Sequence, residues 1–114
     1  MKIQVNTDAH IEGHEALATH VSTTVEHALR HFHDRVTRVE VHLSDENGGK
    51  SGAHDKRCVM EARLEGRQPI AATDEAASLH QAIRGAADKL ARLIDSQLGR
   101  VASSVRTPDM PMEE

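Results

Sequence analysis

Residues 36–43, with the sequence VTRVEVHL, decide the fold because apolar and polar side chains alternate along them. Their apolar and polar residues fall on opposite sides, with Val39, Val41 and Leu43 on one and Arg38, Glu40 and His42 on the other. A period of two residues predicts a β-strand, and one wholly apolar side predicts a sheet covered on a single face. The rest of the chain must supply more strands and the covering layer.

Two stretches downstream continue the sheet. Residues 56–65 alternate again, with an inward set of Cys58, Met60, Ala62 and Leu64. Between the two strands, residues 44–55 are rich in Gly, Ser, Asn and Asp, which predicts a flexible loop in which nothing packs. Glu65-Gly66-Arg67 predicts a tight reversal into a short strand at residues 68–73, where Pro69 favours an edge position or a strand start.

The N-terminal part supplies a short strand, Lys2 to Asn6, and then a helix. From about Gly13 to Phe32, apolar residues recur at spacings of three and four, and His33-Asp34-Arg35 ends this pattern. The apolar stripe consists of Leu17, Val21, Val25, Ala28, Leu29 and Phe32. This predicts one amphipathic helix that packs on the sheet.

A second helix is predicted after the last strand. Thr73-Asp74-Glu75-Ala76 has the composition of a helix entrance, with Thr or Asp as the cap and acids in the first turn. The helix then carries an apolar stripe of Leu79, Ile83, Ala86, Leu90, Leu93 and Ile94. Gly99 is the predicted stop, and residues 101–114 are predicted to form a flexible C-terminal tail.

The predicted order is therefore βαβββα. We expect an α+β fold of one domain, in which a four-stranded sheet has both helices packed on one face. The other face of the sheet is left to solvent or to a partner.

Composition excludes several classes of function. The net charge is −4, from 14 basic and 18 acidic residues, which argues against a general nucleic-acid coat but not against a local basic patch. Phe32 is the sole aromatic residue, so stacking on bases is not expected. Without a signal peptide pattern or a membrane-length apolar run, we expect a cytoplasmic protein that does not bind membranes.

No catalytic motif is found in the sequence. Cys58, the one cysteine, falls on the inward side of a strand, where a structural thiol is expected and not a nucleophile. Gly48-Gly49-Lys50-Ser51 resembles the end of a phosphate-binding loop, but no glycine stands at the spacing required for its first position, and no helix pattern follows. We therefore expect a binding protein without cofactor or small-molecule substrate.

Nine histidines are unusual for a chain of this length. His20, His27 and His31 project within about 40° of one another on the predicted first helix. The i, i+4 spacing of His27 and His31 suits a transition metal, but no carboxylate completes a convincing set of ligands. An alternative is an exposed flank that binds phosphate when protonated.

Basic residues occupy two surfaces. On the second helix, Lys89, Arg92 and Arg100 share one flank, on which no acid lies. On the open face of the sheet, Arg38, Arg57 and Arg63 add cations that are diluted by Glu40, Glu61 and Glu65. This pattern is typical of either a solvated charged surface or one that contacts phosphates.

The chain resembles the ribosome hibernation-promoting factors, also called ribosomal subunit interface proteins or sigma-54 modulation proteins. The resemblance lies in the βαβββα order, in residues 64–92 with their segment AIRGAADKLAR (82–92), and in the junction FHDRV (32–36) before Val39-Glu40-Val41. It covers about residues 1–100. A short family member, without the C-terminal dimerisation domain of the long forms, is implied.

That resemblance implies a double-stranded-RNA-binding-like fold and docking on the small ribosomal subunit, where 16S-type rRNA is contacted and translation silenced under stress. The cations that it carries over are Lys89, Arg92 and Arg35, joined by the sheet arginines Arg38, Arg57 and Arg63. Thr24 and His27 stand where the family usually has lysines. Alternatives are a divergent protein-interaction module of the same fold, without ribosome binding, and a metal-dependent role of the histidine pairs.

Overall fold

The computed structural model describes residues 1–8, 11, 13–45 and 55–105, with side chains described as far as Leu98. Its elements are strand β1 (Lys2–Thr7), helix α1 (His14–Ala28), a 3-10 turn (Arg30–Phe32), strands β2 (Val36–Asp45), β3 (Lys56–Leu64) and β4 (Ile70–Ala76), and helix α2 (Leu79–Val105). The predicted order βαβββα is confirmed.

The four strands form one mixed sheet in the order β1-β2-β3-β4. β1 and β2 are parallel, which requires a crossover, and α1 provides it. β2, β3 and β4 form an antiparallel meander, and Gly66 permits its last turn with a φ of 73°. Pro69 directly precedes β4, which is an edge strand, as predicted.

Both helices cover the same face of the sheet. Its inward side chains from β2 and β3, which include Val39, Val41, Cys58 and Met60, are fully buried together with Ile83 of α2. They form one cluster with the buried residues of α1, Leu17, Val21 and Val25. The core is thus aliphatic, and Phe32 packs against its margin as a half-buried side chain.

The first helix is shorter than predicted. α1 ends at Ala28, where the Leu29 N–H donates a hydrogen bond to the Val25 carbonyl, and the chain continues into the 3-10 turn. The Arg30 guanidinium donates a 2.7 Å hydrogen bond to the His27 carbonyl, one of those left free at the helix end. Apolar spacing did not reveal this end because Leu29 and Phe32 still face the core.

The predicted helix entrance at Thr73–Ala76 is wrong. These residues extend β4, since Thr73 pairs with Val59 and Ala76 pairs with Lys56 across the ladder to β3. α2 begins only at Leu79, and the Ser78 hydroxyl caps it by accepting a 3.1 Å hydrogen bond from the Gln81 N–H.

Gly99 does not end α2, because the helix runs to Val105. A glycine inside a helix costs about 1 kcal/mol relative to alanine but does not by itself stop the helix. Residues 106–114 of the predicted tail lie outside the described residues, and the division of the chain at residue 100 stays a prediction.

The predicted loop at residues 44–55 is packed at both ends. Asp45 and Asp55 are buried, and the Lys56 ammonium lies 3.5 Å and 2.9 Å from their respective carboxylates. The Asp45 N–H also donates a hydrogen bond to the Asp8 carboxylate. Residues 46–54, where flexibility was predicted, are outside the described part of the chain.

Candidate nucleic-acid interface

Basic side chains form a row across three strands of the open sheet face. The register places Lys2 of β1 beside Arg38 of β2, and Arg38 beside Arg63 of β3. Neighbouring strands lie about 4.8 Å apart, so the three backbone positions lie within about 10 Å. Like charges directly opposite one another repel across a sheet, and a bound anion would relieve this repulsion.

Two glutamates lie next to this row, on the same face of the sheet. Glu40 and Glu61 face each other in the register, on β2 and β3. The Arg38 guanidinium lies 2.9 Å from the Glu40 carboxylate and also donates a hydrogen bond to the Gln4 side chain. Arg63 lies 3.6 Å from Glu61, with about half of its side chain exposed. The glutamates orient the arginine side chains and neutralise part of their charge. Ion pairs between solvent-accessible side chains are weak interactions.

Arg35 and Arg67 lie at the same end of the sheet as the basic row. Arg35 directly precedes β2, and its carbonyl accepts a hydrogen bond from the N–H of Glu65, just after β3. Arg67 belongs to the turn between β3 and β4. Both residues are exposed, and neither guanidinium makes an ion pair with another residue of the described chain. We call the five residues Lys2, Arg35, Arg38, Arg63 and Arg67 the basic end.

Arg57 is separated from the basic end. It lies on the open face near the start of β3, six residues before Arg63, and its register partner is Glu75 of β4. The Arg57 and Glu75 charges are 4.0 Å apart. The structure therefore divides the three sheet arginines into two groups.

Lys89 connects α2 to β4. Its ammonium lies 2.8 Å from the Asp74 carboxylate and donates a 3.1 Å hydrogen bond to the Thr73 carbonyl. Gly85 makes this contact possible, since a Cβ at this position would lie 1.9 Å from an Asp74 oxygen. Arg92, on the next turn of α2, is exposed and has no ion-pair partner among the described side chains.

Sequence reasoning predicted Arg35, Arg38 and Arg63 but missed Lys2 and Arg67. Lys2 joins them through the parallel pairing of β1 with β2, which nothing in the local pattern specifies. Arg67 was predicted only as part of a turn. Because β2 and β3 form an antiparallel hairpin, the turn that follows β3 must lie beside the start of β2. This geometry was the available signal for Arg67.

The one thiol is unsuited to chemistry. Burial, together with the smaller effect of the neighbouring Asp74 charge, raises the pKa of Cys58 to about 12. The thiol is therefore protonated at neutral pH and inaccessible to reagents. Among the residues that the structure describes, no three His, Cys, Asp or Glu side chains are grouped as metal ligands. Likewise, no helix in that part of the chain is long and apolar enough to span a membrane.

Comparison with known proteins identifies a family and a fold. The family model described as Sigma 54 modulation protein / S30EA ribosomal protein matches residues 3–102. The N-terminal domain of Protein Y from Thermus thermophilus is similar in structure, with a TM-score of 0.67 and 23% identity over 85% of this chain and 99% of that one. A ribosomal subunit interface protein from Coxiella burnetii has a TM-score of 0.64 and 16% identity over 90% and 99%. Comparison with curated protein sequences finds no significant match.

Proposed function

Because this chain belongs to the Sigma 54 modulation protein / S30EA ribosomal protein family, a family of non-enzymatic ribosome-associated factors, we propose that it binds rRNA of the small ribosomal subunit. Bound there, it inhibits translation and stabilises idle ribosomes under stress. The cytoplasm, where ribosomes work, is the proposed location.

The basic end is the observation that carries this proposal. Three cations in register across adjacent strands, with Arg35 and Arg67 beside them, offer several contacts to successive phosphates of one RNA strand. Such contacts displace condensed counterions, so the affinity falls steeply with salt. Phe32 is the one Phe, Tyr or Trp side chain of the protein and packs against the core, so we propose recognition mainly of backbone and shape.

The remaining predicted contacts differ in how available their charges are. Arg92 is exposed on α2 and is proposed as a contact outside the basic end. Lys89 lies 2.8 Å from Asp74 and must compete with this carboxylate for a phosphate. Arg57 lies near the start of β3, away from the basic end. We propose that these two contribute less than Arg35 and Arg63.

Co-sedimentation with purified small subunits over a salt series tests the proposal. Arg63→Gln and Arg57→Gln form a matched pair, because both arginines lie on β3, on the same face, each facing a glutamate. We expect Arg63→Gln to weaken binding and to reduce the salt slope by about 0.7–0.9, the loss of one phosphate contact, and Arg57→Gln to change it much less.

Two results would contradict the proposal in different ways. No co-sedimentation of the wild type at low salt would end the ribosome proposal. Equal effects of Arg63→Gln and Arg57→Gln would leave ribosome binding intact but remove the basic end as its site. The basic end is supported as the site if the triple variant Arg35→Gln/Arg63→Gln/Arg67→Gln reduces the salt slope by about 2–3.

The second candidate function is a protein-interaction module of the same fold. The net charge of −4 and the glutamates beside Arg38 and Arg63 favour it. Capture of the tagged protein from lysate distinguishes the two candidates, since enrichment of rRNA excludes the module, and protein partners without rRNA support it.

A further inference from the structure

A pair of histidine rings bridges the two helices. His20 lies on α1 and His80 in the first turn of α2, and their ring centroids are 4.2 Å apart with the planes tilted by 48°. Aromatic rings that only pack together prefer offset-stacked or edge-to-face arrangements with centroids about 4.5–7 Å apart. The two histidine rings are closer than this, and their planes are neither parallel nor perpendicular. Ring packing alone does not favour this arrangement.

His20 has a ring nitrogen that makes no hydrogen bond. Its Nε2 atom is enclosed and has no hydrogen-bond partner. An enclosed polar atom without a partner costs free energy, which a ligand to this nitrogen would recover. Burial lowers the pKa of His20, and the positive charges of His80 and Arg84 lower it further. The His20 ring is therefore neutral at about pH 7.5, and one of its nitrogens has a lone pair for a metal ion.

The distance between the two rings fits two ligands of one metal ion. A metal–nitrogen bond of about 2.0 Å places the centre of a coordinated imidazole about 3.2 Å from the metal. Two such rings have centroids about 4.5 Å apart when bound at a right angle, and about 5.2 Å apart in a tetrahedral site. The observed 4.2 Å is closer to the right-angled arrangement, which is typical of tetragonal Cu²⁺ and Ni²⁺ sites.

The groove beside the pair supplies one more donor atom and one opposing charge. A space of about 320 Å³ is lined by His20, His80, Gln81 and Arg84. The Gln81 amide oxygen is a neutral donor of a lone pair, and water completes the coordination of an ion in such a space. The Arg84 guanidinium opposes a cation, but this side chain is exposed and can turn towards solvent.

We propose that His20 and His80 bind one divalent transition-metal ion of the Cu²⁺ or Ni²⁺ class between α1 and α2. Imidazole is a preferred ligand of both ions. With two histidines, Gln81 and water as ligands, the site is weaker than structural zinc sites, which use four protein ligands. It needs no group of three His, Cys, Asp or Glu side chains, and the described part of the chain contains none. A bound ion links the two helices and stabilises the folded chain.

Titration of the free protein with Cu²⁺ at about pH 7.5 tests the site, followed by NMR of the histidine ring signals. Cu²⁺ is paramagnetic and broadens the signals of the nearest rings first. We expect the His20 and His80 signals to broaden before those of the other histidines, and this effect to saturate at one ion per chain. The buffer must not bind copper.

Three variants locate the ion. His80→Gln removes an exposed ligand and should weaken Cu²⁺ binding by at least about tenfold. Arg84→Gln should strengthen binding, because it removes a positive charge beside the ion. His31→Gln is the matched control, since it disrupts the alternative pair of His27 and His31 and should leave this site unchanged. Unchanged amide spectra confirm that each variant is folded.

Three results would overturn the proposal: broadening that begins at other histidines, unchanged Cu²⁺ affinity in His80→Gln, or weaker binding in Arg84→Gln. The readouts use the free protein, so a failure to bind ribosomes affects none of them. Conversely, loss of the metal site leaves the basic end in place.

Discussion

The packing of α2 against β4 depends on the absence of a side chain at Gly85, which leads to a strong prediction. A Cβ at this position would lie 1.9 Å from Oδ2 and 2.6 Å from Cγ of Asp74, far inside van der Waals contact. In Gly85→Ala, the Asp74 side chain must therefore rotate away. This breaks its 2.8 Å contact with the Lys89 ammonium.

The sign of the effect follows from three terms. Alanine in a helix interior is favoured over glycine by about 1 kcal/mol. Loss of a partly exposed ion pair costs up to about 1 kcal/mol, and forcing a methyl group into a filled space costs about 1–3 kcal/mol. We expect Gly85→Ala to lower the free energy of unfolding by about 1 kcal/mol, because the second and third terms together exceed the first.

Removal of the Asp74 carboxylate should reverse this sign. In an Asp74→Ala background, the two shortest contacts are gone and only the Cβ of residue 74 remains, 3.3 Å away. Gly85→Ala should then raise the free energy of unfolding by up to about 1 kcal/mol through helix propensity. The coupling between the two positions is then about 2 kcal/mol, within the range for residues in direct contact.

Urea denaturation followed by far-UV circular dichroism measures this cycle, since the chain lacks tryptophan. The matched control combines Gly85→Ala with Asp95→Ala, an exposed acid ten residues further along the same helix, for which the two effects should add. Additivity of Gly85→Ala and Asp74→Ala to within about 0.5 kcal/mol would refute the contact as the reason for the glycine.

Three further predictions concern the helix cap, the thiol and pH. Ser78→Ala should lower the free energy of unfolding by about 1 kcal/mol, whereas Thr73→Ala should cost less because its hydroxyl caps nothing; comparison of the two denaturation curves decides. Cys58, with its pKa raised to about 12, should resist thiol reagents in the native protein and react after unfolding in urea, and a fast native reaction would contradict its burial. In the folded state the pKa of His20 lies below its ordinary value of 6.5. The stability associated with the neutral His20 ring is therefore complete above pH 6.5 and is lost as the pH falls through the folded pKa. Thermal unfolding in phosphate-free buffer should therefore show a smaller loss of stability on acidification in His20→Gln than in the wild type, and parallel pH profiles would contradict this.

Much of the candidate site could not be derived from sequence. Arg38 and Arg63 were predicted on one face because alternation along each strand sets which side a residue takes. Their adjacency, and the arrival of Lys2 beside them, depend on pairing register between strands that are distant in the chain. The contact of Lys89 with Asp74 depends in the same way on how α2 lies over β4.

The sequence by itself determined the order of the elements, the inward faces of β2 and β3 and most of the inward stripe of each helix, because these follow from the spacing of apolar residues. Leu93 is the exception, since it was predicted in the stripe of α2 and is 42% exposed. The sequence also determined the turn at Gly66, where the positive φ requires glycine. Tertiary structure alone decided that Thr73–Ala76 extend a strand, since hydrogen bonds to β3 outweigh a local composition that favours a helix start. It also decided which cations are grouped and which are paired with acids. The physical reason is that hydrophobic period is a local property of the chain, whereas strand register and helix docking are settled by contacts between residues far apart in sequence.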